Sequence, residues 1–325
     1  MNKVIRIGTR ESQLAVWQAI KVQQLLQQHG ISAELVYIKS EGDIDLQTPL
    51  YEMGVQGIFT KSLDIALLNN KIDIAVHSMK DVPVQLARGI VQAAVLERAS
   101  YKDLLVYKDA EFVNSQLSIV NDELLSSKEP FTIHHSPFTI ATSSIRRKAQ
   151  WLNRYPHHTI ENLRGNVNTR LRKVEESNWN GAIFAAAGLE RIHLRPQNSI
   201  ELDWMLPAPA QGAIIVVCRE MDDFCLSACS IFNDEATAMC TKIERDFLKK
   251  LLGGCSTPIS ALAELKGEEL SFKGNILSVD GKEKVEIEKR VNIKDSLLLG
   301  YTAAGEILSN GGDKIMEGIA AAKNL

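Results

Sequence analysis

The stretch KIDIAVHSMKDVP, from Lys71 to Pro83, decides the fold that the sequence predicts. Its first part, KIDIAVHS, is apolar enough to be a strand buried on both faces, which is typical of a parallel sheet covered by helices. The strand ends where Lys80 and Asp81 stand side by side, two residues before a proline. Open α/β sheets bind ligands at the carboxyl ends of their strands. We therefore predict a charged functional pair here, with a solvated turn as the alternative.

The same alternation of strands and helices extends outward from this stretch. VIRIGT (4–9) and AELVYIKS (33–40) have the character of strands, and helical segments follow at 12–30 and 58–70. This order predicts an α/β domain with a parallel sheet. A similar set begins at FTIATSSIRRKAQWLNRYP (138–156), so we expect two α/β domains that face each other across a cleft.

A smaller domain is predicted at the C-terminus. An amphipathic helix near 234–254 precedes three strand-like segments, ISALAEL, ELSFKGNILS and KEKVEIEKRV, and then a last helix. These segments predict an α+β domain with an antiparallel three-stranded sheet. The expected division is residues 1–106 with 211–232, then 107–210, then 233–325. A polar segment with Pro49, at 41–57, is a candidate mobile lid.

Composition narrows the class of protein. The chain has 325 residues, 45% hydrophobic and 24% charged, with a formal net charge of −3. This balance argues against a general nucleic-acid binder and against a protein of anionic membrane surfaces. We find no signal peptide and no apolar run near 18 residues, and the five cysteines form no C-x-x-C pair. A reduced cytoplasmic protein without a metal is the expectation.

Arginines recur where predicted strands pass into helices, and several have a hydroxyl beside them. Helix N-termini present unpaired N–H groups, and arginine adds bidentate recognition of carboxylate or phosphate. The pattern therefore predicts a ligand with several negative groups. The arginines are Arg10, Arg146, Arg147, Arg164, Arg170 and Arg191.

Several motifs together carry a resemblance to a known family. They are IRIGTRESQLAVWQ (5–18), DIAVHSMKDVP (73–83), ATSSIRRKAQ (141–150), LRGNVNTRL (163–171), AAAGLERI (185–192), PAPAQGA (207–213) and GGCSTPIS (253–260). In this order they resemble the porphobilinogen deaminases, or hydroxymethylbilane synthases. The resemblance implies two domains like those of periplasmic binding proteins. It also implies head-to-tail condensation of four porphobilinogens with loss of ammonia, followed by release of hydroxymethylbilane for porphyrin synthesis.

The resemblance also implies residue roles. Cys255 would carry a dipyrromethane primer through a thioether, which suits a thiolate nucleophile on a thin glycine loop. Asp81 matches the catalytic aspartate of the family. The implied cofactor-binding residues are Lys80, Ser144, Arg146, Arg147, Arg164, Arg170 and Gln211. The implied substrate-binding residues are Arg10, Ser12, Arg164, Arg170 and Arg191.

Two other functions are open at this point. A non-catalytic, two-lobed anion-binding protein would bind its ligand reversibly and would not need Cys255. An inactive relative used as a scaffold is disfavoured because both Asp81 and Cys255 are present. The resemblance to the porphobilinogen deaminases is the favoured interpretation, and we expect the protein to be a monomer.

Overall fold

The computed structural model describes residues 3–39, 60–108, 138–251 and 257–323. The predicted lid, residues 41–57, and Cys255 lie outside these ranges. The strands are Ile5–Thr9 (β1), Ala33–Tyr37 (β2), Ile74–Ser78 (β3), Ile90–Val95 (β4), Asp103–Tyr107 (β5), Thr139–Ala141 (β6), Thr159–Glu161 (β7), Gly181–Ala185 (β8), Ser199–Glu201 (β9), Ile214–Arg219 (β10), Ile259–Lys266 (β11), Glu269–Leu277 (β12) and Lys284–Asn292 (β13). The α-helices are Gln13–Gln28 (α1), Lys61–Leu68 (α2), Ile145–Arg154 (α3), Val167–Glu176 (α4), Ala186–Glu190 (α5), Asp223–Ser230 (α6), Glu235–Lys250 (α7), Leu299–Ile307 (α8) and Asp313–Lys323 (α9).

The predicted buried strand, β3, is the central strand of a five-stranded sheet with the order β2-β1-β3-β10-β4. Apolar side chains cover both faces of this sheet, which explains the continuous apolar character of the strand. The prediction of a parallel sheet is wrong in part. β1, β2 and β3 are parallel, but β10 runs antiparallel to both β3 and β4. The reason is that β10 enters this sheet from the other α/β unit.

The second sheet has the order β7-β6-β8-β5-β9, and β5 is antiparallel to both of its neighbours. The domain boundary expected at residue 106 falls inside β5. Because β5 pairs only with strands of the second sheet among the described residues, we propose that the boundary lies ahead of Asp103. The predicted fold class is confirmed: two α/β units accompany a three-stranded antiparallel sheet of order β11-β12-β13.

The C-terminal part contains a helix that the sequence did not predict. After α8 the chain turns at Gly311, where φ is +101°, and continues as α9. Glycine suits this turn because other residues rarely adopt such a φ. Ile315 and Ile319 of α9 pack into the core formed by Phe247 and Phe272. No helix in the described ranges is long and apolar enough to cross a membrane.

Two chain crossings connect the large sheets, one leading from β4 to β5 and the other into β10. They touch at Gly212, where φ is +89° and an added Cβ would lie 2.6 Å from the Ala99 carbonyl oxygen. The Ala99 N–H donates to the Gly212 carbonyl at 3.2 Å. Any other residue at 212 would push the two crossings apart.

Glu244 of α7 joins these crossings to the C-terminal sheet. Its carboxylate is fully buried and forms a bidentate ion pair with Arg98, with N–O distances of 2.6 and 3.1 Å. It also accepts the backbone N–H groups of Ala210, at 2.6 Å, and Ala263, at 2.8 Å. One side chain therefore holds the first crossing, the second crossing and β11 together.

Candidate active site

A cavity of about 310 Å³ lies where the two large sheets meet. Side chains from both α/β units line it, together with Thr257 and Ile259 from the C-terminal part. Among the described lining residues, one carboxylate, that of Asp81, faces six cations. The cations are Arg10, Lys80, Arg146, Arg147, Arg164 and Arg170. The lining therefore selects for a ligand with several negative charges.

The carboxyl ends of the strands bring these residues together. Arg10 follows β1, and a short 3-10 turn after β3, Met79–Asp81, carries the Lys80–Asp81 pair. Arg146 and Arg147 lie in the first turn of α3, directly after β6. These are the positions at which open α/β sheets bind ligands. The juxtaposition that the sequence predicted for the two α/β units is therefore present.

The helix starts at the cavity are ordered by local capping. The Ser144 hydroxyl accepts the Arg147 backbone N–H at 3.5 Å, and Asn166 caps α4 by accepting the Thr169 N–H at 3.0 Å. Gly165 has a φ of +114°, and a Cβ there would lie 2.7 Å from the Thr169 side chain. Ser144, a predicted cofactor-binding residue, thus lines the cavity and caps α3.

Asp103 is a central residue that the sequence analysis missed. It is fully buried at the start of β5, and its Oδ1 accepts from Arg147 Nη2 at 2.8 Å while its Oδ2 pairs with Arg146 Nη2 at 2.8 Å. Burial alone would raise the pKa of Asp103, but the two guanidinium groups outweigh it and hold the pKa at about 2. Asp103 is therefore ionised and fixes the orientation of both arginines.

Gln211 connects this buried cluster to the Lys80–Asp81 turn. Its amide donates to Asp103 Oδ1 at 2.9 Å and accepts from Lys80 Nζ at 3.3 Å. Burial lowers the pKa of Lys80 to about 8, against the raising effect of the Asp81 carboxylate. The ammonium is therefore still protonated at neutral pH, and the chain of contacts spans both α/β units.

Arg170 differs from Arg147, whose Nε donates to Asp103 Oδ1 at 3.1 Å, because the Arg170 Nε is buried without a hydrogen-bond partner among the described atoms. Burial, together with the charges of Arg147 and Arg164, lowers the pKa of Arg170 to about 10. An unpaired buried guanidinium N–H is costly unless a ligand accepts from it. This side chain is thus placed to receive an anion.

The remaining predicted residues have different positions. Ser12 lines the cavity beside Arg10. Arg191 does not line it; its guanidinium donates to the Gly212 carbonyl at 2.7 Å and lies over the Trp17 ring. Its described contacts join the α/β units, so direct contact with substrate stays a prediction. Cys255 lies outside the described residues, two positions before the cavity-lining Thr257.

The fold and the cavity define a protein that holds a polyanionic small molecule between two α/β units. Two family models match the chain: "Porphobilinogen deaminase, dipyromethane cofactor binding domain" over residues 5–227, and "Porphobilinogen deaminase, C-terminal domain" over 238–309. The porphobilinogen deaminase of Syntrophotalea carbinolica is 38% identical over 97% of this chain and 96% of its own. That of Campylobacter hominis is 35% identical over 98% of both chains.

The chain belongs to the porphobilinogen deaminase family. The matches confirm the predicted family, the transferase class, the hydroxymethylbilane synthase function and the dipyrromethane cofactor. Among solved structures, the methionine-binding protein MetQ aligns over 70% of this chain and 89% of its own, with 13% identity and a TM-score of 0.40. The L-cystine solute receptor of Neisseria gonorrhoeae aligns over 73% and 88%, with 10% identity and a TM-score of 0.39. These two are too distant to bear on the function.

The residues present fit a dipyrromethane. Each of its two pyrroles carries an acetate and a propionate, so the group presents four carboxylates. The cationic lining and the unpaired Nε of Arg170 supply matching donors. The described residues contain no cluster of metal ligands, and the fit requires none.

Proposed function

We propose that the cavity is where four porphobilinogens are joined head to tail on a dipyrromethane carried by Cys255, before water releases hydroxymethylbilane. The observation that supports this most is the cavity lining, in which Asp81 stands among six cations within the described part of the chain. The cations are needed to bind the carboxylates of the pyrroles. The chemistry needs one carboxylate where positive charge develops.

Asp81 is the proposed catalytic residue. Loss of ammonia from porphobilinogen breaks its aminomethyl C–N bond and leaves a cationic azafulvene. A fixed carboxylate beside the pyrrole N–H stabilises that charge in the transition state and can assist the proton transfers. When bound, the dipyrromethane supplies the nucleophilic pyrrole carbon. Asp81 influences the pKa of both Lys80 and Arg170, so it lies close to the cations that would hold substrate carboxylates.

The other side chains bind and orient. Arg146, Arg147, Lys80, Ser144 and Gln211 form one connected set, held by Asp103 and by the start of α3. We assign this set, with Arg164, Arg170 and Cys255, to the cofactor. We assign Arg10, Ser12 and Arg191 to incoming porphobilinogen, together with Arg164 and Arg170. A cytoplasmic location and a monomeric state stay predictions.

The contrast between Arg170 and Arg147 gives a first expected result. Arg170→Gln should reduce kcat/KM for porphobilinogen at least tenfold, because it removes charged hydrogen bonds worth about 1.5–3 kcal/mol each. Its melting temperature should stay close to that of the wild type. Arg147→Gln should lower both kcat/KM and the melting temperature, because it also leaves the buried Asp103 carboxylate with one cationic partner fewer. Steady-state assays with thermal melts on each purified variant check this. Equal loss of stability in both variants would contradict it.

The attachment site gives a second expected result and tests the proposed function as a whole. Intact-mass spectrometry of the active wild-type protein should show one dipyrromethane, located on the Cys255 peptide. Cys255→Ser should lack that mass and should not form hydroxymethylbilane. Cys229→Ser is the matched control, because Cys229 is buried between α6 and the first sheet and should leave the modification intact. An active wild-type protein with an unmodified Cys255 would refute the assignment.

A further inference from the structure

The turn that carries Asp81 has few backbone restraints of its own. Met79–Asp81 is a single 3-10 turn, closed by the Val82 N–H on the Met79 carbonyl at 3.2 Å. One bond ties its start to the rest of the sheet, from the Met79 N–H to the Ala213 carbonyl at 3.0 Å. Pro83 follows and has no N–H to donate. The Val82 and Pro83 carbonyls accept no backbone hydrogen bond among the described residues, so they are open to an outside donor.

Arg245 of α7 supplies that donor. Its Nη1 donates to the Val82 carbonyl at 2.9 Å and to the Met79 carbonyl at 3.3 Å, and its Nη2 donates to the Pro83 carbonyl at 2.5 Å. One planar guanidinium thus holds the backbone before and after Asp81. A bidentate fork of this kind fixes direction as well as distance.

The helix behind Arg245 is itself firmly anchored. The adjacent residue, Glu244, is fully buried and bonded to Arg98, Ala210 and Ala263. The guanidinium is therefore held by α7, an anchored helix that is separate from β3 and β4, the strands before and after the turn. A shift of the turn relative to the cavity would have to break up to three hydrogen bonds.

We propose that Arg245 is a positioning residue for Asp81, which sets where the carboxylate lies relative to the cavity cations. Arg245 is not among the described lining residues of the cavity, and its described hydrogen bonds go to the backbone of the turn and of Pro83. This inference rests on the catalytic role proposed for Asp81. Misplacement of a catalytic group by about 1 Å can cost on the order of a hundredfold in rate.

The test compares kcat and KM of purified holoenzymes. Arg245→Met should lower kcat for porphobilinogen about ten- to a hundredfold and change KM less than about threefold, because the cationic lining is untouched. Arg245→Lys, which can still donate to one or two carbonyls, should recover part of the lost kcat. Lys242→Met is the control, since Lys242 is an exposed cation on the same helix. If folded Arg245→Met and Arg245→Lys turn over like Lys242→Met, the proposal is wrong.

A double variant shows whether Arg245 acts through Asp81. In the Asp81→Asn background, Arg245→Met should cause little further loss of kcat, because the group that it positions has already lost its charge. Full additivity of the two losses would overturn the proposal. Asp81→Asn alone separates the two hypotheses. Full activity in that variant refutes the catalytic role and the positioning role together, whereas a severe loss beside a fully active Arg245→Met refutes only the positioning role.

Discussion

Asp81→Asn is expected to fold, to bind porphobilinogen and to condense it at least about a hundredfold more slowly than the wild type. The amide keeps the shape of the carboxylate but removes the negative charge that stabilises the azafulvene cation. Only interactions that are stronger in the transition state than in the ground state raise the chemical rate. Binding should survive, because the six cations in the described lining are unchanged. Single-turnover assays with labelled porphobilinogen measure the condensation step directly.

Two companion variants make this result decisive. Asp81→Glu keeps the charge but moves it by one methylene, so it should retain more activity than Asp81→Asn. Asp203→Asn removes an exposed carboxylate and should leave the rate unchanged. If Asp81 only stabilised its turn, both Asp81 variants would melt at lower temperature and neither would lose chemistry selectively. A wild-type condensation rate in Asp81→Asn would refute the catalytic assignment.

Glu244→Gln is expected to destabilise the fold by about 3–5 kcal/mol, the usual cost of breaking a buried ion pair. The amide leaves the Arg98 guanidinium without a countercharge. It also turns an N–H₂ group toward either the Ala210 or the Ala263 N–H, where only an acceptor fits. Denaturant unfolding followed by circular dichroism gives the change in the free energy of unfolding.

The matched control for Glu244 is an exposed glutamate in an ion pair of the same type. Glu288, which pairs with Lys273 on the C-terminal sheet, is about half exposed, and Glu288→Gln should cost less than about 1 kcal/mol. If Glu244→Gln costs no more than Glu288→Gln, the two crossings do not depend on the buried carboxylate.

Local patterns carried most of the prediction of the fold. The apolar run of β3, the helix that follows β6 and the three C-terminal strands all follow from periodicity within one segment. The direction of β10 does not follow from periodicity. The sequence of a strand does not show whether it runs parallel or antiparallel to neighbours from other parts of the chain. The helix α9 was not predicted, because Gly311 indicates where α8 ends but does not show that a second helix follows.

The cations of the site could be predicted from the sequence, but the hydrogen bonds and ion pairs that connect them could not. The arginines stand at strand-to-helix junctions that the sequence displays. Asp103 lies between Lys102 and the apolar run of β5, 43 residues before Arg146, and nothing in the local sequence shows that Asp103 and Arg146 meet. Arg245 is similarly separated from its carbonyl partners by more than 160 residues. Long-range pairing of this kind is visible only in the folded chain.

The cavity lining has a consequence for how substrate arrives. The whole chain has a formal net charge of −3, yet its described cavity lining is strongly positive, so the remaining surface is more acidic than the total suggests. An anionic pyrrole that diffuses toward the protein is attracted by the positive charge concentrated in the cavity lining. Its association rate should therefore fall as ionic strength rises, since salt screens the attraction over about 10 Å at 0.1 M. The charge separation that binds substrate thus also guides its diffusional encounter.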